Sequence, residues 1–291
     1  WKSIGKKGTL IMVATVNKII PFSTVDGPGN RTAIFLQGCN MNCLYCHNPE
    51  TRGKCLHCGA CVNSCPTGAL SFDNQRVSYD CVKCVNCDAC IKACPYDSSP
   101  KTKDMTPEQV WQAVKKQIPF IRGITVSGGE CTLYPEFLTE LFTLVQAHGL
   151  STLIDSNGTL DFEHYPDLLA VTDGVMLDIK AFDTEEHKRV TGRNNSIVLK
   201  NARFLASKAK LYEVRTVVSP GLFDAEQTII KTGDMLRAYL PLRPIRYKLI
   251  SYRPMGVRQQ YSKTLQIPTR EQMEYYAGLL AAKGFEDIII I

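Results

Sequence analysis

The chain contains no run of about 18 uninterrupted apolar residues, so it offers no obvious membrane-spanning helix. The opening stretch WKSIGKKGTLIMVATVNK has no long apolar core followed by a small-residue cleavage site, which argues against a secretory leader. No five consecutive residues are Lys or Arg, although the formal charge is +6. Basic tracts that grip nucleic acid are thus missing. Outside residues 39–94 there is one cysteine, Cys131, although the chain holds 13. Disulfides of a small secreted protein would spread more evenly and come in even number. Unligated buried cysteines would also scatter along the chain. What remains is a globular cytoplasmic protein without a membrane or nucleic-acid partner, whose clustered thiols read as metal ligands. Trp1 is an unusual first residue and Met12 stands just before the first strand-like pattern, so residues 1–11 read as an extension outside the fold.

Two stretches repeat one pattern. CLHCGACVNSCP and CVNCDACIKACP are each C-x2-C-x2-C-x3-C-P, the bacterial ferredoxin run, in which three cysteines hold one four-iron cluster and the fourth reaches to the other. That rule assigns Cys55, Cys58, Cys61 and Cys94 to one cluster, and Cys84, Cys87, Cys90 and Cys65 to a second. Zinc ribbons also use C-x2-C pairs, but need neither the third cysteine nor the closing proline. Cys81 opens a competing register that lacks the x3-C-P ending, and reads as a spare thiol. The tract of residues 51–100 is therefore expected to be a ferredoxin-like insert that carries electrons. It divides the host into residues 12–50 and 101–291.

The first cysteine group differs. GCNMNCLYCHNPE supplies only Cys39, Cys43 and Cys46, directly after the apolar run TAIFLQ. Three thiolates on a cubane leave one iron open, the property that separates a catalytic metal site from a closed one. With three clusters bound, about five negative charges would bring the net charge to about +1.

The chain after the insert alternates short apolar runs ending in Gly, Asp, Ser or Pro with helical patterns such as 107–118 and 135–148. Repeated β-α units imply a parallel sheet, with functional groups at the carboxyl ends of its strands. Counting from RTAIFLQG gives six such strands.

In these features the sequence resembles the radical S-adenosylmethionine (SAM) superfamily, whose C-x3-C-x-φ-C signature is met by Cys39, Cys43, Tyr45 and Cys46. The resemblance implies an α/β fold, a partial (β/α)6 TIM-like barrel with the ferredoxin-like domain inserted. It implies three 4Fe-4S clusters, with SAM as the fourth ligand of the first. Bound SAM would meet Tyr45, the SGGE loop (Gly128, Gly129, Glu130), Asp155, Ser156, Asp178, Lys180 and Arg215. Asp155, Ser156, Asp178 and the Met176 carbonyl would also hold a monovalent cation.

DGPG, from Asp26 to Gly29, narrows the resemblance to the glycyl-radical-enzyme activating enzymes, together with CHNP, DSNG, DGVMLDIK and TGRNN. The two-cluster insert points to the pyruvate formate-lyase activase-like, YjjW-type subgroup. The implied reaction is abstraction of one hydrogen from a glycine of a partner glycyl radical enzyme, with Asp26 and Gly27 against the incoming peptide. A flavodoxin or ferredoxin would be the reductant, and the protein would work as a monomer. Two departures stand out: Arg253 occupies the place of a family histidine, and Cys131 follows the SGGE loop. The rival readings are a radical SAM enzyme acting on a small molecule or RNA, which would have no use for DGPG, and an electron-transfer protein without catalysis, which would leave the barrel idle.

Overall fold

A computed structural model describes residues 2–4 and 10–291. The expected extension at residues 1–11 falls partly outside these; its described parts, β1 (Lys2–Ile4) and β2 (Leu10–Met12), pair with each other in a small antiparallel sheet.

The main sheet has nine strands: β3 (Ala14–Ser23), β4 (Arg31–Leu36), β7 (Lys103–Met105), β8 (Gly123–Gly128), β9 (Ser151–Ser156), β10 (Gly174–Asp178), β11 (Leu211–Val218), β12 (Arg246–Ser251) and β13 (Ile288–Ile290). The remaining two, β5 (Leu70–Asp73) and β6 (Arg76–Tyr79), form a separate hairpin. In space the order is β13-β12-β11-β10-β9-β8-β4-β3-β7. From β4 to β12 it contains six parallel strands in chain order, the expected (β/α)6 core. Beyond that expectation, β13 extends the parallel run, while β3 and β7 add an antiparallel edge beside β4. β3 is the strand-like pattern that begins just after Met12, and β13 follows a helix, Arg270–Ala281, as the core strands do.

The strands read as buried parallel strands should. Val175, Met176 and Leu177 of β10 are all fully buried, because sheet neighbours and covering helices leave neither face to water. The helix Pro135–Gln146 covers the sheet with Phe137, Leu138, Leu141, Phe142 and Val145, an apolar face at helical spacing. Each such side chain contributes about 1.5–3 kcal/mol on burial. The helix Pro107–Lys115 opens with a Thr106/Gln109 capping box. It stops earlier than its apolar pattern does, as the chain tightens into the turn Ile118–Phe120 around Pro119.

The cysteine-rich tract leaves the barrel after β4 and rejoins it at β7. It contains the β5–β6 hairpin, whose turn residues Asn74 and Gln75 both have positive φ, and the short helix Ala89–Lys92. Its own apolar cluster consists of Cys61, Leu70, Val77 and Cys90. So small a core gives little stability, and two of its four members are themselves thiols.

Candidate active site

At the carboxyl end of β4, Gly38 takes a φ of +104° and turns the chain into the loop carrying Cys39, Cys43 and Cys46. Backbone bonds shape this loop without help from a metal. Cys39 N–H donates to the Arg52 carbonyl at 2.9 Å, Asn42 N–H to Thr191 at 2.8 Å and Leu44 N–H to Val190 at 3.0 Å. Arg258 donates to the Cys43 carbonyl at 2.8 Å and to Asn42 Oδ1 at 2.6 Å. His47 is joined to the Arg253 carbonyl at 2.9 Å, while the Arg253 side chain lies exposed.

The three thiols lie within each other's electrostatic reach. Burial pushes Cys39 up to about 11 and Cys43 up to about 12, with Cys46 also raised; Lys180 acts in the opposite direction on all three. Metal binding here must displace their protons, which a cationic iron cluster does. Tyr45 is buried, and its hydroxyl has no partner among the described residues, as expected of a group awaiting one. Lys180 Nζ stands 5.7 Å from the Tyr45 ring centroid and 2.8 Å from Asp178 Oδ2. Burial alone would lower Lys180, but Asp178, Tyr45 and Cys43 hold it well above its ordinary value.

The SGGE loop lies against the cysteine loop. Gly129 N–H donates to Leu36 at 2.9 Å and Glu130 N–H to Gly38 at 2.8 Å. A Cβ on Gly128 would run into the Leu36 backbone, and one on Gly129 into the Gly38 and Thr51 carbonyls. These glycines are thus required by protein backbone, and carbonyl oxygens rather than N–H groups are what the loop can offer a ligand amine.

The Glu130 carboxylate is bonded within the protein. It is buried and accepts from Thr132 N at 3.0 Å, Thr132 Oγ1 at 2.5 Å, Ser156 Oγ at 2.9 Å and Asn157 N at 2.6 Å. Burial pushes its carboxyl up, against the pull of these donors. It ties the end of β8 to the end of β9 and so fixes DSNG, including Ser156, whose hydroxyl also accepts from Gly158 N at 2.9 Å. Glu130→Ala should leave several buried donors unpaired and lower unfolding stability by about 3 kcal/mol or more, read as a shifted urea midpoint. An unchanged midpoint would remove this structural role.

Across β9, β10 and β11 the register sets Asp155 beside Met176 and Asp178 beside Arg215. Arg215 donates to Asp155 Oδ2 at 2.8 Å, to Glu213 Oε1 at 2.5 Å and to Met176 Sδ at 3.0 Å. Asp155 also accepts from Ser127 at 3.0 Å. Burial and Asp178 push the Asp155 carboxyl up although Arg215 pulls it down. Of the residues expected to hold a monovalent cation, Asp155 and Asp178 lie within electrostatic reach of each other with Arg215 supplying the positive charge between them, while the Ser156 hydroxyl is bonded to Glu130.

Sequence reasoning missed Glu213, Lys248 and Asn157 here. Glu213 is fully buried between Arg215 and Lys248, the latter at 3.1 Å. Its signal was the i, i+2 alternation with Arg215, which puts both on one face of β11. Asn157 donates to Cys39 Sγ at 3.7 Å and to Asn40 Oδ1 at 3.0 Å, linking DSNG to the cysteine loop.

DGPG lies deeper, toward the amino ends of the strands. The Asp26 carbonyl accepts from Thr125 Oγ1 of β8 at 2.5 Å, and its carboxylate from Ser23 Oγ at 2.5 Å. Gly27 faces the Leu153 and Arg31 side chains, which would obstruct a Cβ. Arg31 itself is buried, bonded to Thr125, Ser151 and the Ile124 carbonyl. Cys131 is buried and donates to the Val126 and Asp155 carbonyls, a packing role. Cys81 is exposed.

In the insert the eight remaining thiols sort into two sets. Cys55, Cys58, Cys61 and Cys94 line one small cavity, and Cys65, Cys84, Cys87 and Cys90 line another. This is the partition that the ferredoxin rule requires. Among the described residues no three His, Cys, Asp or Glu side chains converge as ligands of a single metal ion. Thiolates on a cubane bind separate irons and stand farther apart.

The Radical SAM superfamily profile matches residues 33–232. A putative glycyl-radical enzyme activating enzyme of Haemophilus influenzae is 30% identical over 95% of this chain and 96% of its own. The pyruvate formate-lyase-activating enzyme of Streptococcus mutans is 34% identical over 83% and 78%. Among solved structures, Streptococcus suis SuiB bound to the precursor peptide SuiA aligns with a TM-score of 0.56 at 13% identity, over 88% of this chain and 47% of that one. A domain of a Bacteroides vulgatus pyruvate-formate lyase-activating enzyme aligns with a TM-score of 0.50 at 24% identity, over 58% and 98%. The three-cysteine loop, the six parallel strands and these likenesses agree: the chain belongs to the radical SAM superfamily, among relatives named as glycyl-radical-enzyme activating enzymes.

Proposed function

We propose that this protein activates a partner glycyl radical enzyme, using a 4Fe-4S cluster on Cys39, Cys43 and Cys46 with SAM on its open iron. The observation that carries the reading is a loop of three thiols, Cys43 buried and Cys39 and Cys46 half-buried, stopped one short of a closed site, on a chain 30% identical to a glycyl-radical enzyme activating enzyme over nearly its whole length. When bound, the cluster and SAM supply one-electron cleavage to methionine and a 5′-deoxyadenosyl radical, which takes a hydrogen from the partner's glycine.

The chain's own residues bind and orient. Gly128 and Gly129 offer carbonyls to the SAM amino group; Lys180, Arg215 and the open Tyr45 hydroxyl meet its other polar atoms. Asp155, Ser156, Asp178 and the Met176 carbonyl hold a monovalent cation, with Arg215 turning from Asp155 toward the SAM carboxylate. Asp26 and Gly27 meet the partner's peptide. Residues 51–100 form an electron-delivery insert with two further clusters, fed in the cytoplasm by a flavodoxin or ferredoxin, and the protein acts as a monomer. No described helix is long and apolar enough to cross a membrane.

The test is to supply SAM, reductant and a partner enzyme whose glycines are deuterated at Cα. Deuterium should appear in 5′-deoxyadenosine and a glycyl radical signal in the electron paramagnetic resonance (EPR) spectrum, a near-singlet with the deuterated partner and a doublet with the undeuterated one. SAM cleavage without either signal would point to another substrate.

A further inference from the structure

We propose that the turn Cys94 to Asp97 clamps one insert site directly behind the Cys39 loop, so that Cys55, Cys58, Cys61 and Cys94 form the inner electron site and Cys65, Cys84, Cys87 and Cys90 the outer one. The proposal rests on the three-cluster reading above and adds an order to it.

The two cavities differ in what they are bonded to. Cys94, Pro95, Tyr96, Ser98 and Ser99 wall the first, and Asp97 stands among them. Gly53 N–H donates to the Asp97 carbonyl at 2.7 Å, and a Cβ on Gly53 would strike the Tyr96 carbonyl, so the chain entering the insert is pressed on the chain leaving it. The Asp97 carboxylate then accepts from Arg52 Nη2 at 2.7 Å and Nε at 3.0 Å, and from Arg258 at 3.3 Å. Both arginines reach the Cys39 loop. Arg52 accepts Cys39 N–H at its carbonyl, and Arg258 donates to the Cys43 carbonyl. One half-buried carboxylate thus joins the wall of the first cavity to the backbone of two of the three cysteines of the active loop, Cys39 and Cys43, by a single intervening residue each.

The second cavity is braced away from the Cys39 loop, by residues of the insert and by Lys101 just beyond it. Thr67 donates to the Lys83 carbonyl at 2.7 Å, and Lys101 pairs with Asp88 at 2.7 Å. Both sets hold one exposed thiol (Cys58, Cys87), one buried thiol (Cys61, Cys90) and two half-buried ones, so what separates them is the bonding to the Cys39 loop and not exposure. The set clamped to the active loop suits passing an electron on, which leaves the other to receive it. The donor is a low-potential one-electron carrier, a reduced flavin or iron–sulfur protein. Each transfer oxidises one site by one electron, reduces the next by one, and makes or breaks no bond. Asp97 acts as a positioning residue, since it touches neither substrate nor iron.

The experiment follows each cluster's EPR signal by rapid freezing after mixing with a reduced flavodoxin, with iron counted on the same preparations. In Cys55→Ser with Cys58→Ser, the outer signal should rise on time while the Cys39-loop signal lags several-fold. In Cys84→Ser with Cys87→Ser, the inner and Cys39-loop signals should both start late and keep their order. A Cys39-loop signal that rises on time without the inner site overturns the order. Asp97→Asn should keep all its iron and delay only the Cys39-loop signal; full iron with normal timing would remove Asp97 from the relay. Should Asp97→Asn lose iron, Arg258→Gln, which spares the Arg52 pair, must show the same selective delay, and normal timing there overturns the clamp. Iron well below about twelve per chain in the unaltered protein sinks the three-cluster reading itself, a separate failure.

Discussion

Changing Cys39, Cys43 and Cys46 together to Ala should remove about a third of the iron from fully loaded protein and abolish SAM cleavage. The fold should survive, because the loop is shaped by backbone bonds to Arg52, Thr191 and Val190 that need no thiol. Far-ultraviolet circular dichroism should therefore match the unaltered protein while iron falls. The two insert sites keep all eight of their thiols and should still bleach on reduction. Iron that stays at its full count would move the open site elsewhere, and with it the whole reading of the carboxyl ends of the strands.

Asp26→Ala should weaken glycyl-radical formation by about ten-fold to a hundred-fold and leave partner-free SAM cleavage near its original rate. A carboxylate that accepts peptide N–H groups is worth roughly 1.5–3 kcal/mol per charge-assisted bond, which converts to that range. The structure makes the substitution a clean one. Thr125 holds the turn by the Asp26 carbonyl, so losing the side chain costs only the Ser23 bond and not the place of the backbone. Both assays should be run on one preparation of matched iron content. Equal losses in the two would make Asp26 a prop for the SAM site and remove the most specific residue favouring a protein substrate.

The parts of this molecule that were legible in its sequence are those encoded at short range. The cysteine spacings fix loops of a few residues, and the βα repeat announces itself by apolar runs that end in turn residues. Glu130 shows the limit. Its motif said that something binds at the end of β8, but the donors that saturate it include Ser156 and Asn157, brought from another strand by the sheet register. Arg258 is a stronger case, since it grips Cys43 across more than two hundred residues of chain and belongs to no pattern at all. Arg253 was noticed for its place in a motif, yet its carbonyl makes the contact to His47. Side-chain identity carries no information about such backbone contacts.

The position of the insert between β4 and β8 bears on how the molecule is made. Every other neighbouring pair in the parallel core is joined by a shorter crossover, whereas this pair must bring its strands together across the entire cysteine-rich tract. Loop closure grows only with the logarithm of length, each doubling costing about 0.6 kcal/mol, so the finished sheet is hardly weakened. The rate is another matter, because distant pairings form late. β4 carries the Cys39 loop at its end and would dock onto β8 after the rest of the barrel has closed. Chains that stall before this docking would leave the β8 edge bare and prone to pair with one another.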